Sequence, residues 1–388
     1  MDEKEKNPQD EVVTEQMTTE KEHLHVPLFH ISKRPPLPWK HAWAIRAVAI
    51  LLSMVFMGII SIFLTGENPF LIFATLFKGN FAYAGRIWTL LYNTAILLCI
   101  ALALTPAFRM RFWNIGAEGQ VLAGGLSVVL CMIFIGDKIP NFLLILIMLV
   151  VGVLAGGLWA LIPAFFKAKW GTNETLFTLM MNYVAICLVD FTIQALFPKG
   201  TGTMGVVNLN THAGWLPKIG KGPASGYLLS ILFVVILTVL IYIYLQYSKH
   251  GYEISVVGES ENTARYIGIN VKKVIMRTML ISGAICGFCG FMIVSGYDHS
   301  VSTHMVGGRG FTAIMVTWLA KFNPVFMFFT SFLICFLEIG AGEVASNCGI
   351  STAYADILVG IVLFFIIGCE FFINYKVHFR KKAEEVAR

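Results

Sequence analysis

The chain has 388 residues, of which 57% are hydrophobic and only 13% are charged. Soluble domains contain about 45–50% apolar and about 25% charged residues, so this composition excludes an ordinary soluble enzyme, a disordered regulator and a disulfide-stapled secreted domain. The apolar residues occur in long runs rather than in alternation, which also excludes an outer-membrane β-barrel. The composition, with a mean hydropathy of +0.73, therefore predicts an all-α fold, a polytopic bundle of transmembrane helices.

The formal net charge of +6 is unevenly distributed along the chain. Residues 1–25 contain eight acidic residues and three lysines, so the positive excess lies in the remainder. In a membrane protein such an excess is typical of basic cytoplasmic loops. We expect residues 1–40 to form an acidic, disordered cytoplasmic tail, residues 41–375 the transmembrane domain, and residues 376–388 a basic cytoplasmic tail.

The number of membrane spans follows from the apolar windows, since each span needs about 20 apolar residues. Seven windows qualify: Ala47–Leu64, Ile87–Phe108, Gly119–Gly136, Ile139–Phe166, Thr175–Phe197, Gly222–Ser248 and Thr278–Tyr297. Three shorter apolar segments follow: Gly310–Ala320, Phe322–Leu337 and Ile357–Cys369. If the basic loops lie in the cytoplasm, both ends of the chain lie there too, which requires eight or ten spans rather than nine. The short segments are then three tilted helices, or one span with a re-entrant pair.

The sequence contains none of the common catalytic motifs. A nucleotide-binding P-loop, a dinucleotide-binding glycine motif, a metalloprotease motif and a serine-hydrolase motif are all absent. We therefore expect no catalytic residue, no metal site, no bound cofactor and no ATP hydrolysis by this chain. Cys286 and Cys289 form a CxxC pair, but they lie in an apolar run that disfavours a reactive thiolate. Gly283 and Gly287 in the same run predict a close helix contact, either internal, which we favour, or with a second subunit.

The first informative motif is the polar start of the third apolar window. Asn114, Glu118 and Gln120 enter a hydrophobic run that is flanked by glycines. A carboxylate at a membrane boundary is costly, and glycines let helix backbones approach closely. The motif indicates either a polar helix start beside a translocation path or a helix cap, with Glu118 at the positive end of its helix.

The second motif is the polar loop formed by residues 249–273. Ser260 and neighbouring polar residues supply N-cap chemistry ahead of Ala264–Ile267, and Gly268 is placed as a C-terminal stop. This pattern predicts a short amphipathic helix. Such a helix either docks on a cytoplasmic partner or lies on the lipid surface.

The third motif extends from Gly307 to Pro324. A glycine-rich lead, an apolar stretch and an Asn-Pro break follow one another there, and this order predicts a half-length helix. Irregular backbone at membrane depth survives only where protein or a water-filled cavity satisfies its polar groups. The segment is therefore either part of a transport route or a plain helical hairpin.

In this order and spacing, the motifs resemble the inner-membrane permease subunits of bacterial ABC importers for ribose-type sugars, nucleosides and branched-chain amino acids, above all the nucleoside branch. Three stretches carry the resemblance: Trp113–Gln120, Gly171–Ala185 and Val256–Ile269. Trp113, Trp318 and Lys321 depart from the family's pattern and leave the substrate open. The resemblance implies a type II-like permease of eight to ten spans in the cytoplasmic membrane.

The resemblance also implies a function and partners. The chain is expected to move nucleosides together with an ATPase subunit that uses ATP, a second homologous permease in a homo- or heterodimer, and an extracytoplasmic substrate-binding lipoprotein. The alternatives are a permease for ribose- or galactose-type sugars, an ion-coupled secondary transporter and a channel-like subunit. In the ion-coupled case the coupling carboxylates would be Glu118, Asp190, Glu338 and Glu343.

Two sets of candidate residues follow from the matched motifs. The candidates for the substrate pathway are Asn114, Glu118, Gln120, Asn173, Glu174 and Asn182. The candidates for coupling to the ATPase are Gly258, Glu259, Ala264, Arg265 and Gly268.

Overall fold

The computed structural model describes most of the chain in two units. The described residues are 29–35, 38–196, 204–220, 222–351 and 353–379. The first unit comprises Met1–Ile60 with Gly360–Arg388, and the second comprises Ser61–Val359. Most of both predicted tails, residues 1–28 and 380–388, lies outside the described residues.

The described residues form thirteen helices and two short strands, which confirms the predicted all-α class. The helices are α1 (Trp39–Thr65), α2 (Pro69–Phe81), α3 (Ala84–Arg109), α4 (Ala117–Ile135), α5 (Asn141–Trp170), α6 (Glu174–Leu196), α7 (Leu228–Tyr247), α8 (Lys249–Glu259), α9 (Glu261–Tyr266), α10 (Val271–Ile293), α11 (Arg309–Leu319), α12 (Pro324–Cys348) and α13 (Ala353–Asn374). A π-helical turn, Val294–Asp298, extends α10. The strands are β1 (Phe29–Lys33) and β2 (Tyr375–Phe379).

The two strands join the ends of the first unit. They pair antiparallel, with Ile31 opposite Val377, and an ion pair of 2.6 Å links Arg46 in α1 to Glu370 in α13. Because β1 precedes α1 and β2 follows α13, the first helix begins and the last helix ends at the same end of this unit. An even number of membrane crossings follows. The sequence windows contain no strand, although apolar and polar residues do alternate in both segments.

Helix α10 is the centre of the second unit and packs against α3, α4 and α5. Its glycines make backbone-to-backbone contact with α5, Gly283 facing Gly156 and Gly287 facing Gly152. A Cβ atom at Gly283 or Gly287 would overlap a carbonyl oxygen of α5. The close helix contact predicted for these glycines is therefore confirmed, and it is internal.

One side of the second unit is defined by α8 and α9, and we call it the α8 side. Helix α8 meets the end of α3, where Gly258 touches the carbonyl of Arg109. It also meets the start of α10, where Glu253 pairs with Arg277 at 2.7 Å. Helices α3 and α7 therefore end on the α8 side, and α10 begins there.

The described residues contain nine long apolar helices and one broken passage. Over the described ranges, nine helices are long and apolar enough to span: α1, α3, α4, α5, α6, α7, α10, α12 and α13. Helix α12 begins on the α8 side, because Phe322 and Pro324 share a hollow with Arg109 and Leu245. The chain must therefore return between the far end of α10 and the start of α12, and the short α11 lies on this return. Nine long helices with this broken passage fall within the predicted range of eight to ten spans, and the exact number of crossings stays a prediction.

Candidate functional site

The start of α4 is held by buried amide side chains. Asn114 Nδ2 donates to Ser282 Oγ at 3.2 Å, and Gln120 Nε2 donates to Asn114 Oδ1 at 3.1 Å. Asn182 of α6 bonds twice to the backbone of the α4 start, accepting at 2.8 Å and donating at 2.9 Å. The three amides are at most 2% exposed. They therefore join α4 to α6 and α10 through hydrogen bonds that water does not reach.

Glu118 joins α4 to α11. Its Oε1 accepts the N–H of Gly308 at 2.9 Å, and its Oε2 accepts the N–H of Gly310 at 2.8 Å. The carboxylate thus lies at the N-terminal ends of two helices, where the helix dipoles favour a negative charge. A side chain at position 310 would press on the Glu118 backbone, so this contact needs glycine. Glu118 therefore acts as a helix cap, and the helix whose N–H groups it caps is α11 rather than its own helix α4.

A hollow of about 440 Å³ opens beside Glu118, between α6 and the segment that leads into α11. It is lined by Glu118, Leu179, Asn182, Tyr183, Ile186, Cys187, Asp190, Thr303, His304, Gly307, Gly308 and Phe311. The α6 residues recur three or four positions apart, so they form one face of that helix. We call this space the α6–α11 hollow.

Asp190 places a carboxylate on the face of α6 that lines the α6–α11 hollow. Its Oδ2 accepts from Gln194 Nε2 of the same helix at 2.7 Å, and the side chain is half-buried. This partner lies one helical turn away on α6. A carboxylate that faces hydrocarbon is costly, so this face of α6 is suited to water or protein rather than to lipid.

The six pathway candidates separate into two groups. Glu118 and Asn182 line the α6–α11 hollow. Asn114 and Gln120 are enclosed between helices, Asn173 caps the start of α6 through the Thr175 N–H at 3.0 Å, and Glu174 pairs with Lys167 at 2.7 Å. For all six residues, a part in substrate passage stays a prediction.

The hollow also contains residues that the candidate set lacks. Tyr183 and Phe311 contribute aromatic rings, and Thr303 contributes a hydroxyl group. The spacing of Tyr183 from Asp190 along α6 is the signal that could have identified it. No signal in the sequence brings Thr303 and Phe311 opposite α6, because the two segments are far apart in the chain.

The predicted amphipathic helix of the 249–273 loop is in fact two helices, α8 and α9. Ser260 separates them because its backbone is extended, with φ of −160°, and its Oγ caps α9 through the Thr263 N–H at 3.3 Å. Ala264 is fully buried. Gly268 follows α9 with φ of +85°, a conformation that glycine adopts without strain. The predicted capping residue and the predicted stop therefore lie where the helix begins and ends.

The tip of α9 faces outward. Arg265 pairs with Glu261 across one helical turn at 3.3 Å, and Glu259 is exposed. Tyr266 is 91% exposed and Ile267 is 55% exposed. An aromatic and an aliphatic side chain side by side at an exposed helix end form a surface that suits a protein partner.

Helix α8 is held rigidly behind this tip. The hydrogen bond from Arg277 lowers the pKa of Glu253 below its usual range, with a smaller contribution from His250. The lowered pKa keeps Glu253 charged and its ion pair with Arg277 intact. This pair therefore connects α8 to α10, and the contact of Gly258 with Arg109 connects α8 to α3.

The two tryptophans that depart from the family pattern lie together. The rings of Trp113 and Trp318 stack with centroids 5.5 Å apart, beside Phe108 and Phe322. Lys321 adopts a left-handed backbone with φ of 49° at the turn between α11 and α12. These departures form one local aromatic cluster rather than scattered changes.

The fold and the site together define a multi-pass membrane transport permease. Within the described ranges, no group of His, Cys, Asp or Glu is arranged to hold a metal ion. The sequence profile of the family described as "Branched-chain amino acid transport system / permease component" matches residues 86–367. The chain belongs to this family, whose members are transport subunits rather than enzymes.

Individual relatives match almost the whole chain. The "Guanosine ABC transporter permease protein NupP" of Bacillus subtilis is 27% identical over 82% of this chain and 91% of the relative. The "Nucleoside ABC transporter permease protein NupB" of Lactococcus lactis is 27% identical over 83% and 90%. The "Glucose ABC transporter permease protein TsgB13" of Haloferax volcanii is 25% identical over 87% and 90%.

Two of these organisms have a second relative of the same printed kind. NupQ of Bacillus subtilis, also a guanosine ABC transporter permease protein, is 26% identical over 61% of this chain and 75% of the relative. NupC of Lactococcus lactis, also a nucleoside ABC transporter permease protein, is 25% identical over 57% and 70%.

Proposed function

We propose that this chain is a transmembrane permease subunit of an ATP-binding-cassette importer that moves nucleosides across the cytoplasmic membrane. The observation that carries this proposal is the similarity to NupP and NupB, named for guanosine and nucleosides, over more than four fifths of the chain. The resemblance of three sequence motifs to the nucleoside branch supports the same substrate class.

The α6–α11 hollow is the part of the substrate route that this chain supplies. Its volume of about 440 Å³ lies within the range of small-molecule sites, about 300–1,000 Å³. Tyr183 and Phe311 offer rings for a flat base, while Asp190 and His304 offer polar groups for a ribose and for base edges. A route of this kind binds its cargo weakly and has both apolar and polar walls.

Specific observations bear on two alternatives to nucleoside import, a sugar permease and an ion-coupled transporter. The name of TsgB13 favours a sugar, and aromatic rings stack on the apolar faces of sugars as well as on bases, so the uptake experiment below distinguishes the two cargoes. An ion-coupled transporter needs carboxylates that take up and release a cation. Both oxygens of Glu118 are occupied by backbone N–H groups, and Glu343 pairs with Arg86 at 2.8 Å, so two of the four coupling candidates are already engaged.

The partners follow from the same proposal. NupP and NupQ, like NupB and NupC, are two permeases of one organism, which supports a second homologous permease beside this chain. The α8 side carries a surplus of lysine and arginine, which supports a cytoplasmic position for α8 and α9. We infer that the exposed tip of α9 docks on the ATPase subunit and that the binding lipoprotein meets the opposite side.

The energy of transport enters through α9 in this proposal. ATP use on the partner displaces the docked tip, and α8 passes the displacement to α3 and α10 through Gly258 and the Glu253–Arg277 pair. Because Glu118 ties α4 to α11, the walls of the hollow move as linked bodies. The two states that ATP selects then differ in which side of the hollow is open.

Uptake by cells that lack the gene tests the substrate. Cells carrying a plasmid copy of the wild-type gene are compared with cells that carry none, using labelled guanosine, uridine, ribose, galactose and glucose. We expect nucleoside uptake to require the gene and sugar uptake to be unaffected. A loss confined to ribose, galactose or glucose would overturn the nucleoside assignment.

A further inference from the structure

The outer surface of α4, α5 and α6 contains a long apolar groove. Its volume is about 720 Å³, and its walls include Leu126, Leu158, Ile162, Phe165 and Leu188. It lies within the spanning parts of these helices and is distinct from the α6–α11 hollow, with which it shares no lining residue. We call it the α4–α6 groove.

The length of the α4–α6 groove corresponds to one leaflet of a bilayer. Along α5 it extends from Ala155 to Phe166, a distance of about 16 Å at the rise of an α-helix. Half of a typical hydrocarbon core is about 15 Å thick. Helix α5 ends on the α8 side at Trp170, so Phe166 marks the mouth of the groove near that membrane surface.

A basic rim lies next to this mouth. A second hollow of about 350 Å³ shares Leu161 and Met276 with the α4–α6 groove and is lined by Lys272 and Lys273 at the start of α10. A third lysine, Lys169, lies 5.5 Å from the ring centre of Phe165 in the groove wall. The rim is therefore built from lysines on two helices.

Two acidic groups on this side of the unit are already paired. Glu253 pairs with Arg277 and Glu174 pairs with Lys167, both at 2.7 Å. Lys272 and Lys273 are exposed, and neither has an acidic partner among the residues that the structure describes. The first turn of α10 adds the positive end of a helix dipole to their charge.

We propose that the α4–α6 groove binds one acyl chain of an anionic phospholipid, whose phosphate lies between Lys272 and Lys273. The apolar walls, the length of one leaflet and the unpaired lysines at the membrane surface each match a different part of such a lipid. A helix of a partner protein would match the apolar walls alone. The bound lipid supports the start of α10, the helix through which α8 reaches the transmembrane core.

Native mass spectrometry of the assembled transporter tests the headgroup. The complex is purified from nanodiscs of equal parts phosphatidylglycerol and phosphatidylcholine, and retained lipid is counted. Each lysine near an anionic surface contributes about a fivefold gain in affinity, so Lys272→Ala with Lys273→Ala should weaken phosphatidylglycerol retention about 25-fold and leave phosphatidylcholine unchanged. The matched control, Lys40→Ala with Lys249→Ala, removes the same charge elsewhere and should retain the lipid. Equal retention by the double variant and wild type would overturn the proposal.

Brominated lipid tests the acyl chain independently of charge. Trp159 lines the groove, and bromine on an adjoining chain quenches indole fluorescence. The fluorescence of Trp159 is obtained as the difference in indole fluorescence between the wild type and Trp159→Phe. We expect brominated phosphatidylglycerol to quench it, and Ala155→Trp, which adds a ring inside the groove, to abolish retention of the lipid. A Trp159 signal that brominated lipid leaves unchanged in the assembled transporter would show that protein covers the groove, and it would also overturn the proposal.

Discussion

Glu118 is the residue whose structural role is most sharply defined, because each of its oxygens accepts one backbone N–H of the α11 start. Glu118→Gln replaces one oxygen with an NH₂ group that cannot accept, so one buried N–H loses its partner. We expect a loss of about 1–3 kcal/mol in the free energy of unfolding, measured as a lower melting temperature in a fixed detergent. Glu174→Gln is the control, since a partly exposed ion pair contributes within about 1 kcal/mol. Equal losses in the two variants would contradict the capping role.

His299 provides a pH-dependent test of the segment 204–220. Its ring stacks on Trp215 with centroids 3.7 Å apart, and burial lowers the pKa of His299 from 6.5 to about 4. The stacked form is therefore neutral, and an open form takes up a proton more easily. The closed form is fully favoured above pH 6.5 and loses stability as pH falls towards 4.

Hydrogen exchange of residues 204–220, corrected for intrinsic rates, measures this loss. We expect protection to be constant above pH 6.5 and to fall below it. In His299→Asn, which tolerates the left-handed backbone (φ 49°), protection should be lower and independent of pH. His212 also faces Trp215, so His212→Asn serves as the control and should keep the pH dependence. A pH profile that survives in His299→Asn would refute the assignment.

At the residue scale, polar residues within apolar runs predict which side chains are buried and hydrogen-bonded. They do not predict the hydrogen-bond partners. Asn114, Glu118, Gln120 and Asn182 all proved to be buried and hydrogen-bonded. The bond from Gly308 to Glu118, however, joins residues 190 positions apart. Only the packing of α4 against α11 brings the two together, and no local pattern encodes that packing.

At the scale of helices, the contact of α10 with α5 depends on glycine. Gly287→Ala would push a methyl group into the carbonyl of Gly152, so we expect a loss of about 1–3 kcal/mol from overpacking. Gly342→Ala in α12 meets open space and should be neutral or stabilising by up to about 1 kcal/mol. Thermal unfolding of both variants measures the difference, and similar melting temperatures would refute close packing at Gly287.

Helix α9 carries the prediction about coupling. Arg265→Glu places a like charge one turn from Glu261, where the wild type has an ion pair, and reverses the charge on the exposed tip. We expect the variant to insert normally and to lose nucleoside uptake, as measured by membrane content and labelled uptake in the same cells. Lys249→Glu, a charge reversal at the start of α8, is the control. If uptake survives Arg265→Glu, the docking assignment is wrong.

The hydropathy windows overlap all nine long helices, but several bounds differ: one window ends at Leu337 although α12 continues to Cys348, and another begins at Thr278 although α10 begins at Val271. The windows also miss the shorter elements. Helix α2 has 13 residues, too few for a spanning window. The sequence predicts a single helix capped by Ser260, whereas Ser260 separates two helices. A capping residue has the same sequence signature whether or not another helix precedes it. Strands β1 and β2 pair only because the ends of α1 and α13 bring them together.

At the scale of the whole molecule, the proposed function places the energy source outside this chain. Within the second unit, glycine contacts, buried amides and the Glu118 cap link α4, α5, α6, α10 and α11. The sequence has no phosphate-binding loop, so in our proposal the energy arrives through α9. Charge predicts an even number of crossings, whereas no sequence pattern predicts the α6–α11 hollow, because its walls come from distant parts of the chain.

Reconstitution into liposomes tests the central proposal most directly. The chain is assembled with its ATPase, its second permease and its binding protein, and labelled guanosine uptake is measured with and without ATP. We predict saturable uptake that requires ATP and the complete assembly, and none by the lone chain under a proton or sodium gradient. Gradient-driven uptake by the lone chain, or a complete assembly that takes up glucose and not guanosine, would contradict the account.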